Sequence, residues 1–217
     1  KEGKARFIGF SIHDPNVFVK SIDQAVKSNM YDAILAWFNF KSSPEHSAAL
    51  KKAREANVGV VAMKTQYGGG YDKDASASVS PHQAALKWVL QSGFVDCAVP
   101  GMVNMEQVVE NVGAVGKKIS WSDRKVLHAA YNAIRHRYCV MCGKCNGTCN
   151  KTVDIHTVHR SLMYCEGYGD FELGRRTYLG LSNKDNAHAC MSCAFPTCRC
   201  VNGINIAERM YRAQTLF

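Results

Sequence analysis

The chain has 217 residues, and its 27 Lys and Arg against 18 Asp and Glu give a formal charge of +9. No run of about 18 apolar residues occurs, which excludes a membrane-spanning helix. The basic residues are scattered, without a run of about five, so the charge does not indicate a nucleic-acid-binding protein. The length allows one large domain or two modest ones.

The first part of the chain alternates predicted strands with predicted helices. The strands are predicted at residues 6–11, 32–38, 58–64 and 94–99. Each is followed by a helix-start signal, at Asp14-Pro15, Ser43-Pro44, Ser80-Pro81 and Asn104 respectively. Apolar strands with helical crossovers predict a parallel sheet of α/β class.

Four such units form either an open doubly wound sheet or half of an eight-stranded barrel. Periodicity does not separate the two architectures. The glycine-rich loop at residues 65–80 is long for a loop between a strand and a helix. It is therefore a candidate lid over a site. The alternative is that it is simply a mobile connection.

A dense cysteine cluster follows the last predicted unit. Cys139, Cys142, Cys145 and Cys149 have the spacing C-x2-C-x2-C-x3-C. Bacterial ferredoxins use this run to hold [4Fe–4S] clusters, and in two-cluster ferredoxins the fourth cysteine ligates the other cluster. Structural zinc is the alternative.

The cluster is partly repeated 51 residues later. Cys190, Cys193 and Cys200 repeat three of the four positions, whereas the third is Pro196, with a cysteine instead at Cys198. An internal repeat predicts two facing half-sites. If the halves cross over, one cluster takes Cys139, Cys142, Cys145 and Cys200, and the other takes Cys190, Cys193, Cys198 and Cys149. Zinc or a solitary cluster is the alternative for the second site.

Cysteines in metal-type groups, rather than in a disulfide framework, predict a reducing, cytoplasmic location. Cys97 and Cys165 lie outside both groups and are expected to be packing residues. The chain begins at Lys1 with residues that lead directly into a strand, so we expect an upstream portion.

Several segments, in order, resemble the iron–sulfur branch of the aldo-keto reductases. The matching segments are 9–13 (GFSIH), 59–64 (GVVAMK), 84–90 (AALKWVL), 99–102 (VPGM) and 106–111 (EQVVEN). The resemblance implies that residues 1–125 are strands five to eight of that family's (β/α)8 barrel. It also implies that residues 126–217 are its mainly α-helical ferredoxin-like domain, with two [4Fe–4S] clusters.

The resemblance implies a nicotinamide site of which only part is retained. Ser11 matches the residue that contacts the nicotinamide, and Glu110 with Asn111 matches the pair that holds adenine. Gly101 and Gln107 replace the lysine and arginine that grip the 2′-phosphate of NADP, so NADP is disfavoured and NAD is left open. Glu110 and Asn111 could equally be ordinary residues at a helix end.

The family's catalytic tetrad comes from the first half of the barrel, which this sequence does not contain. His13 and Lys64 are predicted at strand ends that face the barrel mouth, where enzymes of this architecture place catalytic groups. Lys64 is a candidate proton donor or anion clamp, and His13 a candidate acid–base group. Structural roles are the alternative for both.

The sequence supports three functional hypotheses. The first is an oxidoreductase that relays electrons through the clusters between a small organic substrate and a redox partner protein or electron carrier, alone or with an upstream barrel half. The second is a non-catalytic electron-transfer or docking subunit with a barrel remnant as its scaffold. The third is a structural zinc module.

Overall fold

The computed structural model describes residues 3–67, 79–136 and 138–217. These residues divide into two compact units, one of residues 3–67 with 79–130 and the other of residues 131–217. The division follows Ala130, near the boundary predicted after residue 125. Most of the loop predicted at 65–80 lies outside the described residues.

The first unit contains four strands and the helices that connect them. In chain order the elements are β1 (Gly9–Ile12), α1 (Phe18–Ser28), β2 (Ala33–Trp37), α2 (Pro44–Glu55), β3 (Gly59–Met63), α3 (Pro81–Leu90), β4 (Cys97–Val99) and α4 (Met105–Val112), followed by α5 (Trp121–Ile134), which runs across the division. The strands pair in parallel in the order β1-β2-β3-β4. The predicted mixed α/β class with a parallel sheet is therefore confirmed.

The helix starts follow the predicted signals at three of four places. Ser43, Ser80 and Asn104 each accept a backbone N–H from the first turn of α2, α3 and α4 respectively. Asp14 differs, because its carboxylate accepts the N–H and the side-chain amide of Asn16 and closes a turn before the helix. Helix α1 consequently begins at Phe18 rather than at Pro15.

The two faces of the sheet have different surroundings. On one face Ile34, Ala36, Val60 and Ala62 are completely buried and pack in one core with residues of α1, α2 and α3. On the other face Ser11, Leu35, Val61 and Cys97 form a row of register partners that are exposed or only half-buried. The helices therefore cover one face of this sheet.

A buried ion pair joins α3 to α5. Lys87 Nζ lies 2.8 Å from Asp123 Oδ1, and their side chains are 12% and 1% exposed. Burial raises the pKa of Asp123. Lys87 and the N–H and hydroxyl of Ser120 lower it by more, so the net effect is a pKa below the usual value. The carboxylate is therefore charged and fully partnered.

The second unit is helical in its described residues. It contains α6 (Ile155–Glu166), α7 (Phe171–Leu179), a 3₁₀ helix (Ala187–Ser192) and α8 (Ile206–Leu216). The sequence did not predict the 3₁₀ helix. Asp154 and Asn205, 51 positions apart, cap α6 and α8 in the same way, so the repeat extends from the cysteines into the helices that follow them.

The apolar faces of α6, α7 and α8 meet in one core that includes Val158, Leu162, Tyr178 and Met210. Half-buried cysteines of both cysteine segments pack against this core. In the part of the chain that the structure describes, no helix combines the length and the apolar character needed to cross a membrane.

Candidate metal centre

The first cysteine segment, residues 139–149, is a loop that reverses direction repeatedly. Met141, Gly143 and Gly147 have positive φ angles of 60°, 69° and 79°. Glycine takes this conformation readily, whereas it is unusual for methionine. The turns bring Cys139, Cys142 and Cys145 to one side of the loop as electrostatic neighbours.

The first group of thiols draws on both cysteine segments. Burial raises the pKa of Cys139 to about 11, opposed by the N–H of Met141 and reinforced by the thiols of Cys145, Cys142 and Cys200. Burial also raises the pKa of Cys145, with contributions from Cys142, Cys200 and Asp154. The thiols of Cys139, Cys142, Cys145 and Cys200 thus form one group, in which Cys200 comes from the second segment.

The second group is crossed in the same manner. Burial raises the pKa of Cys190, and the thiols of Cys149, Cys198 and Cys193 add to the rise. These four cysteines line a cavity of about 320 Å³, together with residues of α8 that include Met210 and Tyr211. The two groups in the structure therefore have the membership of the two crossed sets predicted from the sequence.

Several N–H groups point at the cysteine sulfurs. The backbone N–H groups of Met141, Lys151 and Asn202 each donate to the sulfur of the cysteine two residues earlier, at 3.4 Å in all three cases. The Asn202 side chain also donates to Cys142 Sγ at 3.8 Å. Donors of this kind stabilise the negative charge of a thiolate. Burial has the opposite effect, because it favours the neutral thiol.

Hydrogen bonds join the two cysteine segments directly. Thr148 Oγ1 donates to the carbonyl of Cys145 at 2.8 Å and accepts the backbone N–H of Arg199 at 3.0 Å. Thr197 Oγ1 donates to the carbonyl of Thr148 at 2.8 Å. These bonds hold together the loops that supply both groups of thiols.

The thiols are donors that suit either an iron–sulfur cube or a zinc ion. A zinc ion needs four donors about 2.3 Å from one point, whereas a [4Fe–4S] cube binds each thiolate at a different corner. In the described residues, no group of three or more His, Cys, Asp or Glu side chains is arranged to hold one metal ion.

The charge around the thiols also fits an anionic centre. The stretches 139–151 and 188–204 contain Lys144, Lys151 and Arg199 but no Asp or Glu. Four thiolates around a cube core of lower positive charge leave net negative charge to be balanced. If such centres bind, these three cations would offset part of that charge.

The structure places the two candidate catalytic residues at one edge of the sheet. His13 and Lys64 directly follow β1 and β3, and both are exposed. Because β2 lies between those strands, the two backbones are about 10 Å apart at this edge. The two side chains could contact opposite ends of one small ligand, but the structure does not bring them together as a pair.

Three of the four candidate cofactor residues, Gln107, Glu110 and Asn111, lie on α4, and Ser11 lies on β1. Ser11 lies on the uncovered sheet face opposite Leu35. Gln107 accepts the N–H of Val103 at the start of α4. Glu110 accepts the hydroxyl of Ser80, and the buried Asn111 accepts the side-chain amide of Gln66 at 2.6 Å. Binding of adenine by Glu110 and Asn111 would require these bonds to be exchanged.

The sequence motifs did not point to Thr148, Lys151 or Asn202, although each contacts a cysteine segment. A detectable signal existed for two of them. The 51-residue repeat pairs Lys151 with Asn202, each two residues after the last cysteine of its segment. Extending the repeat beyond the cysteines would have identified both.

Comparison of the chain with models of known protein families gives no match, and comparison with curated protein sequences gives none either. The family resemblance drawn from the sequence motifs therefore stays a prediction. A fold alone does not define an activity, and the function of a protein depends on the chemistry of its site.

Proposed function

We propose that this chain is an iron–sulfur oxidoreductase of the aldo-keto reductase type whose second unit holds two [4Fe–4S] clusters. One observation carries the proposal: eight cysteines form two groups of four, and each group takes one member from the opposite segment. Crossed ligation of this kind is the arrangement of two-cluster ferredoxins. When bound, such clusters supply one-electron transfer.

The chain's own residues prepare these sites in three ways. The N–H groups of Met141, Lys151 and Asn202 favour the thiolate forms that bind iron. Thr148 joins the two loops, which keeps the crossed thiols together. Half-burial of the cysteines limits the access of water and oxygen.

We further propose that the first unit is half of a (β/α)8 barrel. An open doubly wound sheet reverses its strand order and carries helices on both faces. Here the order β1-β2-β3-β4 has no reversal, and one face, which includes Leu35 and Val61, lacks a helical cover in the described residues. A second half, upstream in the same protein or in a separate chain, would cover that face.

In this proposal a small organic substrate binds at the strand ends near His13 and Lys64, and a protein or other carrier exchanges electrons with the clusters. NAD stays open as a cofactor, and NADP is disfavoured. The bonds that already engage Glu110 and Asn111 favour a second candidate, a non-catalytic electron-transfer subunit that binds no nicotinamide.

Anaerobic purification followed by iron and sulfide analysis tests the cluster proposal. We expect about eight irons and about eight acid-labile sulfides per chain, with broad absorption near about 400 nm. A colourless protein that contains zinc would overturn the proposal in favour of the structural-metal alternative.

Single Cys→Ser variants test the crossed ligation. Cys200→Ser should perturb the same electron paramagnetic resonance signal as Cys145→Ser, and Cys149→Ser the same signal as Cys190→Ser. Cys97→Ser and Cys165→Ser are matched controls that should keep full iron content. If Cys149→Ser instead perturbed the same signal as Cys145→Ser, that result would contradict the crossed arrangement.

A further inference from the structure

The internal repeat places different charges at equivalent positions of the two thiol groups. Lys151 and Asn202 are 51 residues apart, and their backbone N–H groups make equivalent 3.4 Å bonds to Cys149 and Cys200. The same backbone bond to sulfur is thus made in both repeats, whereas one side chain is an ammonium and the other a neutral amide.

Each of these side chains reaches across to the opposite segment. Lys151 Nζ donates to the carbonyl of Ala189 at 2.8 Å and to Ser192 Oγ at 2.9 Å, on either side of Cys190. Asn202 Nδ2 reaches Cys142 Sγ at 3.8 Å. Lys151 also lines the cavity that Cys149, Cys190, Cys193 and Cys198 share, so its charge is fixed beside the second group.

Building on the cluster function proposed above, we infer that Lys151 sets the reduction potentials of the two centres apart, with the higher potential at Cys149, Cys190, Cys193 and Cys198. Reduction adds negative charge to a centre. A nearby ammonium favours that change.

Two other charged side chains near the cysteines have a smaller effect on the reduction potentials. Lys144 and Arg199 are exposed and lie one in each cysteine segment, so water screens them and they largely offset one another. Lys151 is half-buried and held by two hydrogen bonds, so its charge is screened less. The asymmetry between the centres thus comes mainly from Lys151 and its neutral counterpart Asn202.

The test is a redox titration of the anaerobically purified protein, followed by electron paramagnetic resonance. Cys145→Ser and Cys190→Ser assign each signal to its thiol group. We expect two one-electron steps, with the higher potential at the second group. Lys151→Asn, which installs the residue of the other repeat, should lower the reduction equilibrium constant of that centre by about tenfold, or ~59 mV.

Lys151→Arg should restore the wild-type potential, and Lys184→Asn, at an exposed lysine of the same unit, should leave both steps unchanged. If Lys151→Asn loses iron, Lys151→Gln is compared with Lys151→Arg instead.

Two centres of equal potential, or a higher potential at the first group, would overturn the inference while leaving the cluster proposal intact. The absence of any iron-dependent signal would overturn the cluster proposal itself. The two failures are therefore distinguishable in one experiment.

Discussion

Thr148 and Arg199 occupy equivalent positions of the two cysteine repeats, and they contact one another: the Arg199 N–H donates to Thr148 Oγ1 at 3.0 Å over a separation of 51 residues. Contact between equivalent positions is one feature expected of two loops related by a local two-fold axis, and the exchange of one cysteine in each direction is another. Both features agree with such an arrangement of the two cysteine loops.

Thr148→Val keeps the shape of the side chain but removes the hydroxyl that links the loops. Two hydrogen bonds are lost, one within the first loop and one between the loops, and we expect a cost of about 1 to 2 kcal/mol in the stability of the paired loops. Iron should therefore be released to a chelator roughly 5- to 30-fold faster. Thr215→Val, which removes a hydroxyl bond on the last helix, is the control and should release iron at the wild-type rate.

Adjacent residues of β3 should respond differently to truncation, because they point to opposite faces of the sheet. Val60 is completely buried under the helices, whereas Val61 is half-exposed on the other face. We expect Val60→Ala to lower the free energy of unfolding by about 2 kcal/mol and Val61→Ala by clearly less. Urea denaturation measures both values, and equal costs would mean that the face of Val61 is covered in solution.

Loss of Lys87 should strongly destabilise the first unit. Lys87→Met leaves the buried Asp123 carboxylate without its counter-ion, at an expected cost of about 3 kcal/mol. The double variant Lys87→Met with Asp123→Asn should be more stable than Lys87→Met alone, since a neutral amide needs no counter-ion. Thermal or urea unfolding of wild type, Lys87→Met, Asp123→Asn and the double variant measures the coupling energy. If the effects of the two single substitutions simply add in the double variant, the pairing does not contribute to stability.

His159 should make the stability of the second unit depend on pH. Burial, reinforced by Arg209 and His156, lowers the pKa of His159 from 6.5 to about 4. At pH values between about 4 and 6.5, His159 is protonated in the unfolded chain but neutral in the folded chain. Stability should therefore be complete above about pH 6.5 and decrease as the pH falls towards 4, by on the order of 3 kcal/mol.

His159→Leu should remove that part of the pH dependence. The measurement is the difference in unfolding free energy between wild type and variant at several pH values. His188→Gln, at an exposed histidine of the same unit, should keep the wild-type slope. A slope unchanged by His159→Leu would assign the acid sensitivity to other groups.

Local signals were sufficient to predict most of the elements. Ser43-Pro44 and Ser80-Pro81 begin helices in the structure as predicted, because a cap side chain and a proline act on the backbone next to them. Asp14-Pro15 has the same local pattern but forms a turn. Its carboxylate bonds to Asn16 instead, and that competition is not visible in the spacing of apolar residues.

The cysteine spacing and its repeat suggested two crossed sets of thiols, and the same sets are neighbours in the structure. That they bind iron stays a prediction. The residues around the sulfurs were not foreseen, because N–H donors such as those of Met141 and Asn202 depend on loop conformation rather than on residue type.

By itself the sequence determined the order of strands and helices along the chain, the spacing of the cysteines and their 51-residue repeat, since each is read from residue types and intervals alone. Only the tertiary structure decided that the sheet runs β1 to β4 with one face that lacks a helical cover in the described residues, and that Glu110 and Asn111 are already bonded within the fold. Those features depend on contacts between residues far apart in sequence, and no local pattern encodes them.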